Sequence, residues 1–407
     1  MIDRLKFWLA FLREPQRWSM AGLAIVFGTV ALILADGFIE QIFVDFREAI
    51  VRSNLGHFQV RLVDAGHAAG EGTAETSPAL VALRPSIEQA LTGFPGTVVA
   101  ARLSFVGLAS HGERTVSFIG EGVEPLREQT LSSQLVVDRG HPLESADGQS
   151  LLVGEGLAKN LGVDVGDLVT LLVTTGAGGV SAIEASVVGI FHTSTKAWDD
   201  RALRLPLPLA QALLREEAIS KLVGVLPRSS QTDAAVASLR AALADDGVEV
   251  LAWRDLADFY NKTVQLFSSQ LALVRAVIVA IVLLSVSNTL ARNVMERTSE
   301  IGTMMALGRT RVAVARLFVG EGLALGLVCG VVGVTLGWML AIAISGVGIP
   351  MPPPPGMARG FIARIAFTPG IATVALLFAV ITAVIASLLP ALRASRLNIV
   401  DALRVGR

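Results

Sequence analysis

Residues 296–321, ERTSEIGTMMALGRTRVAVARLFVGE, form a compact charged segment between two long apolar runs. Unpaired charges are costly inside a bilayer, so such a segment between two membrane-length runs is a loop on one membrane face. Ile301, Met304, Met305 and Gly308 fall on one helical face, while Arg292, Glu296 and Glu300 recur at i, i+4 on another. Gly308 is placed to stop the helix in a left-handed conformation, and Thr310 to cap the next one. The segment reads as a short surface helix tied at both ends to membrane spans. A docking face and a plain connecting loop both remain open at this point.

Working outward, the 407 residues are 52% hydrophobic with a mean hydropathy of +0.61, too apolar for an ordinary soluble chain. Apolar residues concentrate near 18–44, 271–291, 312–347 and 367–392. Each run supplies about 20 residues, the length that crosses a hydrocarbon core of roughly 30 Å. Residues 46–262 have a soluble composition and suffice for a core of their own. Arg4, Lys6, Arg13 and Arg17 precede the first run, Arg292, Arg297, Arg309, Arg311 and Arg316 separate the second from the third, and Arg393, Arg396, Arg404 and Arg407 follow the fourth. Arginine and lysine favour the cytoplasmic side, which puts both termini and the 292–316 loop there. No small-x-small site follows the first run, so it reads as a retained anchor rather than a cleaved signal.

The fold expected is an α-helical membrane protein with four transmembrane helices and a large α+β extracytoplasmic domain inserted between helices 1 and 2. The segments are 1–17, a cytoplasmic amphipathic helix; 18–50, helix 1 and a stalk; 51–255, the α+β domain with a β-rich insertion near 110–200; 256–294, a stalk and helix 2; 295–311, the coupling loop; 312–347, helix 3; 348–366, a short outer loop with a proline run; 367–392, helix 4; and 393–407, a cytoplasmic tail. Alternating or β-branched stretches at 56–63, 97–105, 114–121, 167–175, 185–193 and 221–228 predict strands, and 84–93, 155–162, 207–217 and 233–244 predict helices.

Chemistry-bearing patterns are few. His57, His67, His111, His141 and His192 lack metal-ligand spacing, no Gly-x-Ser-x-Gly elbow occurs, and no basic stripe suits nucleic acid, so no catalytic residue, metal site or nucleic-acid partner is assigned. No Gly-x-x-x-x-Gly-Lys-Ser/Thr phosphate loop occurs, so ATP hydrolysis falls to another polypeptide. The single cysteine, Cys329, lies in the third run, leaving the inserted domain without a disulfide. Glu321 lies at membrane depth, with Arg316 or Arg292 as its expected partner, and Arg275 is expected to snorkel to an interface. Gly322, Gly326 and Gly330 repeat every fourth residue, a spacing that lets helices approach closely within the bundle or across a dimer.

ERTSEIGTMMALG at 296–308, LFVGEGLALGLVCGVVGVTLGW at 317–338 and LLPALRASRLNIVDALR at 388–404 together resemble the MacB/FtsX-type ABC transporter permeases, a family that includes the lipoprotein-releasing permeases LolC and LolE. VGEGLAKNLGVDVGDLVTLL at 153–172 and GHFQVRL at 56–62 are similar to stretches of its outer domain. The resemblance implies a multi-pass permease of the bacterial inner membrane with a periplasmic domain. Its ABC ATPase subunits, two in number, would bind ATP and Mg, and this chain would hold no cofactor. Glu296, Arg297, Glu300, Ile301, Met304, Met305 and Gly308 would meet the ATPase. A second permease, identical or homologous, would complete a dimer in contact with membrane lipids, with a periplasmic adaptor or lipid carrier as a further partner.

By that resemblance the chain would couple ATP hydrolysis by mechanotransmission to extraction or export of a lipid-linked substrate such as a lipoprotein. Phe38, Ile42 and Phe46 would line an apolar substrate groove between the first spans. Two other roles fit the resemblance: MacB-like efflux of a drug, peptide or toxin, and FtsX-like control of a cell-wall hydrolase without transport.

Overall fold

The computed structural model describes residues 15–63, 76–144, 148–352 and 359–396. The expected amphipathic helix, the proline run and the C-terminal tail lie wholly or mostly outside them. The chain divides into two units. A sheet unit comprises Val44–Lys262 and Met351–Phe361; a helical unit comprises the chain up to Phe43, Thr263–Pro350 and the chain from Ile362 onward.

The sheet unit contains β1 (Phe58–Leu62), β2 (Val98–His111), β3 (Arg114–Val123), β4 (Val136–Gly140), β5 (Ser150–Gly154), β6 (Leu168–Thr174), β7 (Val180–His192), β8 (Ala202–Pro206), β9 (Lys221–Val225) and β10 (Val248–Ala252). They form one ten-stranded sheet in the order β10-β1-β9-β2-β3-β8-β5-β7-β4, with β6 pairing β2 and β7. The β3–β8 and β5–β7 pairs are parallel, and the others are antiparallel. The six stretches expected to be strands all fall on strands. Four were missed, including β5 and β8, which are buried at every position and so carry no alternation.

Two apolar cores flank this sheet. Phe58, Val60, Val99, Leu222 and Val250 pack with Ile87 of α2 (Arg84–Ala90) and Leu239 of a helix at Thr232–Ala242. Leu103, Phe105, Leu171, Val187 and Leu205 pack with Leu157 of a helix at Glu155–Leu161 and Leu213 of one at Leu207–Leu214. Strand β2 contributes to both, and Arg102 lies on it between their residues.

Arg102 belongs to a buried ionic network. Its guanidinium donates to Glu128 Oε1 at 2.6 Å and Oε2 at 3.2 Å. Glu128 lies on α3 (Pro125–Leu131). Arg204 donates to Glu128 Oε1 at 3.0 Å and to Glu121 Oε2 at 3.2 Å, while Lys221 Nζ donates to Glu121 Oε1 at 3.0 Å. Burial works against ionising Glu121 and Glu128, but the facing cations outweigh it and hold both carboxyls well below the usual range. The network grips helix α1 (Pro15–Ile50) where it ends in a π-turn, Val51–Leu55. Ser53 O accepts from Arg204 at 3.0 Å and from Ser132 Oγ at 3.1 Å, and Asn54 O accepts from Arg102. Arg52 O accepts from Gln134 N at 3.0 Å and Leu55 O from Gln59 Nε2 at 2.8 Å.

Among the described residues four helices are long and apolar enough to cross a membrane: α1, α7 (Asp258–Glu296), α9 (Arg311–Val347) and α10 (Pro369–Ser395). The labels α4, α5 and α6 belong to the three sheet-unit helices at Glu155–Leu161, Leu207–Leu214 and Thr232–Ala242, and α8 is the short helix Thr298–Ala306. Ala21 and Ile25 of α1, Val282 and Val286 of α7, Leu325 of α9, and Ala379 and Ala383 of α10 meet in one core. The glycine ladder packs within the chain. A Cβ at Gly322 would meet Ser387 Cβ at 2.7 Å, one at Gly326 would meet Val380 Cα at 2.9 Å, and one at Gly330 would meet Leu376 Cδ1 at 2.9 Å, all on α10. Arg275 pairs with Asp36 at 2.9 Å instead of snorkelling alone.

Candidate functional site

The segment between α7 and α9 forms helix α8, and local chemistry fixes its C-terminal end. Arg297 is the N-cap at φ −103° and ψ 17°. Beyond the last turn, Gly308 adopts φ +91°, its N–H bonds Met305 O at 3.0 Å, and Arg309 N–H bonds Met304 O at 3.1 Å. This paired capping needs a left-handed residue, which glycine supplies without a Cβ penalty. Thr310 Oγ1 then accepts from Ala313 N at 3.2 Å and starts α9.

The apolar face of α8 is turned inward. Ile301 (0% exposed) and Met305 (7%) pack with Val294 of α7, Val314 and Phe318 of α9, and Ala391 and Ala394 of α10, with Met304 half-buried beside them. Arg297 donates through Nη1 to Glu321 Oε1 at 3.0 Å and through Nε to Glu300 Oε2 at 2.8 Å. Glu321 is therefore tied to Arg297, not to Arg316 or Arg292, because the cap of α8 swings Arg297 over α9. Burial disfavours the Arg297 charge, yet Glu300 and Glu321 outweigh it and raise its affinity for the proton.

The predicted residues thus separate into three groups. Ile301 and Met305 seat the helix, and Arg297 locks it to α9. Glu300 and Gly308 are exposed, beside Thr303, Leu307 (87%) and Arg309, which were not among the predicted residues. Glu296 and Arg292 lie on α7 and line a polar cleft of about 470 Å³ with Ser285, Asn288 and Thr289, so they do not continue the α8 face. Leu307 was missed, because an apolar residue beside a helix stop reads as part of the inward stripe. Phe38 and Ile42 are half-buried, whereas Phe46 is buried with its ring edge-on to Phe259 at 6.1 Å, so it does not line an open groove. Among the described residues no cluster of His, Cys, Asp and Glu could hold a metal ion.

Four membrane-length helices, a short capped helix between the second and third, and an inserted sheet domain define a class of membrane permease. Residues 19–242 match the MacB-like periplasmic core domain, and residues 272–399 match the FtsX-like permease C-terminal domain. The chain belongs to this MacB/FtsX family of ABC transporter permeases. It is 25% identical over 288 residues to an uncharacterized ABC transporter permease of Methanocaldococcus jannaschii, covering 69% of this chain and 68% of that one. It is 25% identical over 252 residues to the lipoprotein-releasing system transmembrane protein LolE of Haemophilus influenzae, covering 60% of each. It is 30% identical over 229 residues to the macrolide export ATP-binding/permease protein MacB of Hyphomonas neptunium, covering 53% of this chain and 33% of that one. The chain thus spans between one third and just over two thirds of these relatives.

Proposed function

We propose that this permease couples ATP hydrolysis in separate ATPase subunits to extraction or export of a lipid-linked substrate. ATP and Mg would be held by the ATPase, and two permeases would act together in the bacterial inner membrane, with both termini cytoplasmic. The single observation that carries the coupling role is the seating of α8. Its apolar face is spent on the chain's own core, leaving a rigid, charged outer face for a partner. That face comprises Glu300, Thr303, Leu307 and Arg309. The similarity to LolE favours lipid-linked cargo, and the match to the MacB-like domain favours efflux as the second reading.

The test changes exposed residues only. Leu307→Ser with Arg309→Glu leaves both the seat of Ile301 and Met305 and the Arg297 lock intact. The purified complex is expected to keep its basal ATP hydrolysis while release of a lipid-anchored cargo from proteoliposomes falls about tenfold, a loss of roughly 1.4 kcal/mol of coupling. Cargo release at the unaltered rate would remove the coupling role from this face. Release of a small apolar drug, but of no lipid-anchored cargo, by the unaltered complex would select the efflux reading.

A further inference from the structure

The sheet unit carries a cavity of about 480 Å³ that the coupling role does not use. Its walls come from residues 50–55, at and just after the end of α1, from 193–201, and from 256–262, around the start of α7. Its lining is mostly apolar and aromatic, with Leu55, Trp198, Leu256, Phe259 and Tyr260. Phe259 is 53% exposed. The Trp198 indole Nε1 is buried and has no hydrogen-bond acceptor among the described residues.

Arg201 stands at the edge of this cavity and also lines a second one, of about 540 Å³, walled by Val106, Leu108, Phe118, Leu172 and Val180. In that second cavity Val106, Leu108, Leu172 and Val180 are 39% to 67% exposed. Exposed apolar side chains clustered along a groove mark an interaction site. Arg201 is itself exposed, and its guanidinium has no ion-pair partner among the described residues. The other cation of the first cavity, Lys262, is paired with Asp258 at 3.5 Å. The free charge between the two apolar troughs is therefore positive. A planar guanidinium is the side chain best shaped to hold a carboxylate or phosphate, and pockets of this volume suit single small amphiphiles.

We infer that these two cavities bind an anionic amphiphile, its head group on Arg201 and its chain along the aromatic or the aliphatic trough. The inference deepens the lipid-linked reading given above and rests on it for its biological meaning. The shared ligand chemistry is an apolar chain with a phosphate or carboxylate head, whether from a free fatty acid or from an anionic phospholipid.

The experiment uses the full chain in phosphatidylcholine nanodiscs. Three probes carry a diazirine on the chain: a fatty acid, phosphatidylglycerol and phosphatidylcholine. After irradiation, adducts are mapped by peptide mass spectrometry. Labelling is expected on residues 194–201 and 256–262, or on 106–119 and 172–180, from the anionic probes in about tenfold excess over phosphatidylcholine, and falling about tenfold in Arg201→Glu. The fatty-acid and phosphatidylglycerol arms identify which head group is taken. Labelling confined to α1, α7, α9 and α10, or equal labelling by all probes and in Arg201→Glu, overturns the site. Cargo release by the complete transporter is measured separately. Labelling without lipid-anchored cargo release keeps the site and removes the transport reading; release without labelling does the reverse.

Discussion

His57 is one of five histidines scattered through the sequence without a pattern, yet its surroundings give it a definite protonation state. It is fully buried, its Nδ1 accepts the Leu226 N–H at 3.1 Å, and its Nε2 lies 2.8 Å from Ser229 Oγ. An accepting Nδ1 carries no proton, so the ring is neutral and donates through Nε2, and Ser229 in turn donates to Glu48. Burial first, and then the nearby Arg52, push His57 down to about 4. The folded value lies below the unfolded one of about 6.5, so the unfolded chain gains a proton first as the pH falls. Stability from this residue is full above about 6.5 and declines progressively toward pH 4, by roughly 3 kcal/mol. Thermal unfolding of the intact chain between pH 7 and pH 4.5 is expected to show that slope, and His57→Gln is expected to lose most of it. Equal slopes in both proteins would refute this role. None of it was legible in the sequence, because the partners lie about 170 residues away along the chain.

At the scale of elements, what the sequence shows is a stripe, and what it hides is the surface that covers the stripe. The apolar face of α8 was visible from its 3.6-residue period, but the same stripe serves a core or a partner equally well. Packing decides, and Ile301 and Met305 turn inward. The glycine ladder of α9 was equally visible, and so was its use for close packing, while its partner α10 was not. Gly326→Leu forces a side chain against Val380 and Ala383 and is expected to cost about 1–3 kcal/mol, read as a lowered thermal midpoint in detergent. A Cβ at Gly320 would meet nothing within 4 Å, so Gly320→Leu serves as the control expected to stay near the parent value. If the two variants melt alike, the α9–α10 seam is not what holds these helices together.

Over the whole molecule, four apolar runs around a soluble insertion made the fold class legible, since hydropathy and length are properties of composition. The ionic network was not legible, because Arg102, Glu121, Glu128, Arg204 and Lys221 come from five elements and look like ordinary strand and helix charges. Removing Glu128 leaves two buried arginines, with Lys221, to share the one carboxylate of Glu121. Glu128→Gln is expected to destabilise the sheet unit by about 3–5 kcal/mol. Hydrogen exchange of the full chain is expected to show β2, β8 and residues 51–55 losing protection together, and a loss confined to α3 would contradict a shared network.

That network also fixes what the end of α1 can do. Four successive carbonyls, from Arg52 to Leu55, are each held by a different donor group. A turn so keyed has one seat in the sheet unit, because rotating it would break all four contacts at once. Within the sheet unit the two arginines seat residues 53 and 54 against β2 and β8, as a spline seats a shaft in its hub.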